Sequence, residues 1–272
     1  MVVRFLKIFI SILYLTISNI KKLLYKTSIN QQCIVIYYHS ILDSQRERFT
    51  RQLDYLSKKY SFVSLSSFNA QQSKKDLISI TFDDGLSSIL VNALPELKKR
   101  EIPTTIFIPA AYLDSYPKWE QKDQEIYYKD KIINQDEIKE LSGWGIEIAS
   151  HTLHHTDLRT VHSEAAMEEL RLSKSVLEEI TGKEVVSFSF PYGSYNDDLI
   201  KLALHCGYNF VYTTQPEIIS LPIQNKVFGR ICVEPDDFLL EFKLKVAGAY
   251  SWLPRAVKLK RKIKNSINLL FF

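Results

Sequence analysis

Cysteine is scarce in this chain. There are three in 272 residues, Cys33, Cys206 and Cys232, far apart and without a CxxC pair. That excludes a thiolate zinc site and a disulfide framework, and leaves each cysteine as a small buried hydrophobe. Acidic residues are missing from both ends. Residues 1–26 hold five Lys or Arg and no acid, and residues 242–272 hold eight and no acid. The ends therefore carry +5 and +8, and against a net charge of +4 the middle carries −9. A nucleic-acid groove across the body of the molecule is excluded by that distribution, and no nucleic-acid partner is expected. Basic ends interleaved with apolar residues point to an anionic membrane surface instead. No internal repeat or low-complexity segment is present, and no histidine follows Gly207.

What is present suits one large domain with appendages: 46% hydrophobic residues, 24% charged, and 15 each of Tyr and Phe. The first appendage is RFLKIFISILYLTISNIKKLL, residues 4–24. Arg4, Lys7, Ser11, Ser18 and Lys22 recur at helical spacing, so they form one polar stripe on an otherwise apolar helix. A helix lying in the membrane interface fits this better than a clean span, because Lys7 interrupts the apolar run early. A signal peptide is the rival, but no small-x-small cleavage site follows. A helix packed on its own domain is the remaining alternative.

From residue 33 onward, strand-like and helix-like stretches alternate. CIVIYYHSI precedes the amphipathic FTRQLDYLSKKY, and SFVSL and ISITFDDG precede SSILVNALPELKKR, with a break expected near Pro95. PTTIFIPA leads into an aperiodic stretch at 112–133, expected to be a long loop. NQDEIKELSGWG and IEIASH follow, then a helix at 163–182 with Ser163 as N-cap and Gly182 at its end. VVSFSFPYG, NDDLIKLALHCG and FVYTT complete the pattern. Alternation of this kind predicts a parallel α/β sheet or barrel, in which functional residues sit at the C-terminal ends of strands. His39, the Asp83–Asp84 pair, His151 and the PYG turn all fall there.

Two touching carboxylates at the end of a buried strand repel each other and need a reason. His151 and His155, four apart in HTLHH, would share a face on a helical turn and could grip one ion with a carboxylate. A cation there offsets the repulsion, leaving the second carboxylate as a base. Each piece alone is weak, since a paired Asp is usually a surface turn and H-x-x-x-H is usually incidental. A hydrogen-bonding role is expected for His154.

TFDDG at 81–85, SHTLHHTDL at 150–158 and FSFPYG at 188–193 together resemble the polysaccharide deacetylases, the NodB-homology domain of carbohydrate esterase family 4. The resemblance covers roughly residues 33–235. It implies a distorted (β/α) barrel of about seven strands. With the basic amphipathic helical segments read from charge and apolar pattern at both ends, the chain divides into a membrane-associating or signal-like segment at 1–30, a deacetylase domain at 31–241 and a basic tail at 242–272. The resemblance implies metal-dependent hydrolysis of the acetamide on N-acetylated sugars of a bacterial cell-envelope polysaccharide or exopolysaccharide, by a membrane-associated enzyme. Asp83 would be the general base. Asp84, His151 and His155 would hold a divalent metal, usually zinc. The Tyr192 backbone N–H would stabilise the oxyanion, and Pro191, Tyr192 and Gly193 would meet the substrate.

Two features depart from the family pattern. Ser189 stands where the third motif commonly has Arg, and the histidine commonly found late in the domain is missing. Either the site is degenerate, a carbohydrate-binding or assembly protein on the same fold, or other residues take those roles. A subgroup acting on poly-N-acetylglucosamine looks similar, with a YH first strand and an Arg-less PYG motif. Since the first strand of a closed barrel neighbours the last, His39 becomes the candidate general acid, and Arg230 the candidate replacement for the missing Arg.

Overall fold

The structure, a computed structural model, describes residues 2–25, 30–67, 73–119, 129–254 and 256. The strands are β1 (Gln32–Tyr38), β2 (Ser61–Phe62), β3 (Leu77–Phe82), β4 (Thr104–Ile108), β5 (Glu147–Ser150), β6 (Ser187–Ser189), β7 (Phe210–Thr213), β8 (Ile219–Ser220), β9 (Val227–Gly229) and β10 (Ile231–Cys232). The helices are α1 (Val2–Leu24), α2 (Arg46–Lys59), α3 (Ser88–Asn92), α4 (Leu94–Lys99), α5 (Gln135–Gly143), α6 (Ser163–Thr181), α7 (Asp197–His205) and α8 (Leu239–Val246).

The sheet runs β10-β1-β3-β4-β5-β6-β7-β9, and every neighbouring pair along that path is parallel. Its two outermost strands, β9 and β10, are separated in sequence only by Arg230. The single extended stretch 227–232 therefore pairs first with β7 and then with β1, and closes the sheet into a distorted (β/α) barrel of seven walls. Side chains alternate across the wall. Cys33, Val35, Phe107, Ala149, Tyr212 and Phe228 fill the barrel's inside, while Ile34, Ile36, Ile78 and Ile80 face the surrounding helices.

Local signals account for most boundaries. Asn134 caps α5 in a reciprocal box, its side chain accepting from the Glu137 N–H at 2.9 Å while the Glu137 carboxylate accepts from the Asn134 N–H at 2.8 Å. Gly182, at φ 64°, ends α6 in the left-handed region. The break near Pro95 falls at Ala93, between α3 and α4. Ser163 is not the N-cap of α6. His162 holds the extended cap backbone and Ser163 is the first helical residue. The expected boundary at 241/242 lies inside α8, whose Phe242 and Val246 are fully buried in the domain core. Of the basic 255–264 segment only Ala256 is among the described residues.

The polar stripe of α1 meets the domain at Arg4 and Ser11. Arg4 pairs with Glu241 at 2.5 Å and approaches Asp237 at 3.6 Å. Ser11 is fully buried and accepts from the Trp252 indole N–H at 3.0 Å. Ile8 and Leu15, on the same face, pack on Leu244, Ala249 and Tyr250. The outward face is Phe5, Leu6, Phe9, Ile12, Leu13, Ile17 and Ile20, all exposed. The helix is also long and apolar enough, by length and composition, to cross a membrane.

Candidate functional site

The C-terminal ends of β1, β3, β5, β6 and β7 open on a cavity of about 420 Å³, lined by Tyr37, His39, Asp83, Asp84, Trp119, His151, His155, Phe190, Tyr192 and Thr214. Strand β3 delivers the two carboxylates. The Asp83 N–H still donates to Tyr38 O at 2.9 Å as the ladder ends. Asp84 and Gly85 then both turn left-handed, at φ 68° and 63°. A non-glycine residue pays a steric cost for that conformation, so the turn is held by its surroundings. A Cβ on Gly85 would come within 3.2 Å of Ile108, and φ there independently favours glycine.

The turn sends the two carboxylates to different partners. Asp83 points into the barrel and accepts two hydrogen bonds from Arg230, Nη1 to Oδ1 at 2.6 Å and Nη2 to Oδ2 at 2.7 Å. The guanidinium is fully buried. It also donates to Ser189 Oγ at 2.5 Å and Thr81 Oγ1 at 3.2 Å, and lies 4.6 Å from the Tyr37 ring centroid and 4.8 Å from that of Phe107. Burial pushes the Asp83 carboxyl up, but the Arg230 charge and hydrogen bonds outweigh it and hold it below its usual range.

Asp84 points to the histidines. Its Oδ1 is 3.2 Å from His155 Nε2 and 3.6 Å from His151 Nε2. Burial opposes its ionisation, while His155, with His39 and His151 behind it, outweighs that and keeps it ionised. His151 Nδ1 lies 2.8 Å from the carbonyl of Ser189. A carbonyl only accepts, so Nδ1 carries the proton and Nε2 presents a lone pair. Burial lowers the His151 pKa to about 4, which keeps the ring neutral.

The histidine segment is not a helical turn. It is an irregular loop in which Thr152 and His155 are left-handed, at φ 66° and 53°. The Thr152 hydroxyl accepts from Thr156 N–H at 3.1 Å and holds the loop closed. Glu169 of α6 accepts from the N–H groups of Leu153 and His154, and pairs with the His154 ring at 2.7 Å. His154 thus has the hydrogen-bonding place expected for it, away from the cavity. Trp119 stacks on His155 with centroids 4.1 Å apart and planes at 20°.

Asp84, His151 and His155 offer one ligand atom each, all within 4.8 Å of one another and all buried. Two ligands about 2.1 Å from one ion at a tetrahedral angle stand about 3.4 Å apart. The separations of 3.2 and 3.6 Å bracket that value. Two imidazoles and an ionised carboxylate form a donor set that fits a divalent cation, with a cavity in front of it for other ligands.

A family model for polysaccharide deacetylases matches residues 70–211, just over half of the chain. The chain belongs to the polysaccharide deacetylase family. It is 28% identical over 158 residues to the YxkH protein of Bacillus subtilis (strain 168), a match covering 58% of this chain and 52% of that one. The match thus spans about half the length of that relative. It is 26% identical over 214 residues to the poly-beta-1,6-N-acetyl-D-glucosamine N-deacetylase of Staphylococcus aureus (strain MSSA476), covering 74% of this chain and 70% of the relative. Among solved structures it is similar to IcaB from Ammonifex degensii, with a TM-score of 0.67 and 25% identity over 81% of this chain and 98% of that one.

In this polysaccharide deacetylase the Arg230 guanidinium reaches Ser189, the position where the resemblance leads one to expect Arg. The cation comes from the barrel-closing strand instead. His39, Asp83, Asp84, His151, His155 and Tyr192 all face the one cavity. Pro191 and Gly193 are not among its lining residues. They shape the turn: Tyr192 is left-handed at φ 59°, and a Cβ on Gly193 would sit 1.8 Å from Thr214 Oγ1. Trp119, Tyr37, Phe190 and Thr214 line the cavity without having been singled out in the sequence. Phe190 lies within the quoted FSFPYG motif. Trp119 lies in an aperiodic stretch that carries no sequence signal for its stacking partner.

Proposed function

We propose that this protein removes acetyl groups from N-acetylated sugars of a cell-envelope polysaccharide or exopolysaccharide, with one zinc ion, releasing acetate and leaving a free amine. The observation that carries the reading is the shared cavity. A carboxylate pinned by Arg230 and a His–His–Asp cluster open on the same 420 Å³ space, at the strand ends where such chemistry sits. The name of the Staphylococcus aureus relative makes poly-β-1,6-N-acetylglucosamine the first substrate to try. The apolar α1 supports a membrane-associated enzyme.

Asp84, His151 and His155 would hold the ion. Bound there, it supplies Lewis acidity toward the acetamide carbonyl and the attacking water. Asp83 accepts the proton that the water loses on attack. Arg230 keeps that carboxylate ionised and fixed in direction by its two parallel hydrogen bonds. The Tyr192 backbone N–H donates to the developing oxyanion. His39 donates a proton to the nitrogen as the C–N bond breaks, because an amine anion is a poor leaving group. The products are acetate and the sugar amine, with one water consumed.

Acetate release from a panel of N-acetylated glycans (poly-β-1,6-N-acetylglucosamine, chitin oligomers and peptidoglycan), with and without chelator, tests the reading. Chelator-sensitive acetate release from at least one of them is expected. No release from any glycan by the metal-loaded protein would overturn it in favour of a binding or assembly protein.

A further inference from the structure

Helix α1 is amphipathic in the reverse of the usual sense. A helix docked on a soluble domain turns its apolar face inward and its polar face to water. Here Arg4, Ser11 and Ser18 lie on the inward side among Ile8 and Leu15, and Phe5, Phe9, Ile12 and Ile17 on the outward side. Such a face is stable only against something apolar.

The outward face does not end with the helix. The Phe5 ring stacks on Phe238 with centroids 6.3 Å apart, and the Arg4 guanidinium lies 4.3 Å above the same ring. Phe238, Leu239 and Leu240 follow one another at the start of α8, and all three are exposed. Arg4, bonded to Glu241 and to the Asp236 carbonyl, locks the two elements together. The patch is therefore contributed by the helix and by the catalytic domain jointly. The two acid-free ends of the chain also meet here, where Ile8 and Ser11 pack on Tyr250 and Trp252. In sequence, residues 242–272 hold eight Lys or Arg and no acid.

We propose that the outward face of α1 and the Phe238–Leu240 tip form one surface that seats in the interface of an anionic phospholipid bilayer, with α1 lying along the membrane and the domain resting on it. This rests on the membrane-associated reading above and specifies how it is achieved. A helix that crossed the bilayer would have to carry Arg4, Ser11 and Ser18 into hydrocarbon and give up the contacts with α8. A helix lying flat keeps both. The length of 23 residues would allow either arrangement; the inward polar contacts decide between them. The tip is also tied to the cavity wall: Phe238 is five residues from Val233, whose N–H donates to the carbonyl of Tyr37, a cavity-lining residue, at 3.1 Å.

The test attaches an environment-sensitive fluorophore (NBD) to the full chain at three positions in turn: Ile12→Cys, Leu240→Cys, and Glu184→Cys as an exposed control far from α8. The unsubstituted chain gives the background from Cys206 and Cys232. Vesicles are phosphatidylglycerol with phosphatidylcholine, or phosphatidylcholine alone, with nitroxide at shallow or deep acyl positions. The expected result is a blue shift and shallow-nitroxide quenching at both Ile12→Cys and Leu240→Cys, stronger with phosphatidylglycerol, and no change at Glu184→Cys. Deep quenching at Ile12→Cys with an aqueous signal at Leu240→Cys would show a spanning helix with the domain held off the membrane, and would overturn the proposal while sparing membrane association. No lipid response at either position would overturn both, and a blue shift that tracks protein concentration without lipid would assign the patch to a second copy of the chain. The double substitution Leu239→Asp/Leu240→Asp should lower vesicle partitioning at least about tenfold while acetate release from a soluble substrate is unchanged. Unchanged partitioning would remove the Phe238–Leu240 tip from the surface.

Discussion

Replacing Arg230 by alanine should damage this protein more than any other single change near the cavity. Its guanidinium is fully buried, and both oxygens of Asp83 end on it at 2.6 and 2.7 Å. Breaking a buried pair by removing one partner leaves an uncompensated charge, at a cost of about 3–5 kcal/mol. Loss of the contacts with Tyr37 and Phe107 adds to this. Asp83 would also change its titration. With Arg230 present its folded-state pKa lies below the unfolded value, so the pair stabilises the fold above that unfolded value and the stabilisation is lost as pH falls through the folded one. Without Arg230, burial dominates and the pKa moves up. The acidic limb of the rate profile should then move to higher pH, because the base must be ionised to act. Urea unfolding at neutral pH and a pH–rate profile of Arg230→Ala read the two effects separately. Arg230→Met with Asp83→Asn should recover part of the stability and none of the rate. An Arg230→Ala protein within about 1 kcal/mol of the parent, with an unmoved acidic limb, would refute the reasoning.

Asp83→Asn should keep metal affinity and lose about 10²–10⁴ in rate, the usual worth of a positioned base. Asp84→Asn should lose the metal, and a metal titration beside acetate-release kinetics would expose a reversal of the two roles. His39→Ala should lose about 10²-fold or more on an amide and much less on an activated aryl acetate ester, whose leaving group needs no proton; equal loss on both would remove His39 from the mechanism. The chelated protein should lose stability as pH falls from about 6.5 to about 4, since His151 is neutral in the fold and takes a proton on unfolding. The whole loss from this group is roughly 3 kcal/mol, checked by urea unfolding across that window, and a flat profile in the absence of metal would contradict it.

The chemistry of the site was legible because short motifs, each weak alone, occur together and in one order at strand ends. TFDDG, HTLHH and PYG could be placed at strand ends from alternation alone. The path of the backbone between them was not legible. Spacing of four in HTLHH suits a helical turn, but Thr152 and His155 reach the same convergence through left-handed backbone in a loop held by Glu169. The Arg230–Asp83 pair joins residues 147 positions apart, which no local pattern can reveal. Closure of the barrel depends on six residues, 227–232, in two strands too short for periodicity to register. The polar stripe of α1 was visible as a stripe, but periodicity says only that a helix has two faces. Which face meets the domain is decided by partners such as Glu241 and Trp252, far along the chain. Trp119 has no pattern around it at all, and its place over His155 is purely tertiary.

The central claim is that Asp84, His151 and His155 hold one divalent ion and that turnover depends on it. The direct measurement is a zinc titration of metal-free protein, followed at once by binding and by acetate release from an N-acetylated glycan. Both should saturate together at one ion per chain, and Asp84→Ala should show neither. Full activity in stringently chelated protein, or unchanged zinc binding by Asp84→Ala, would contradict the account.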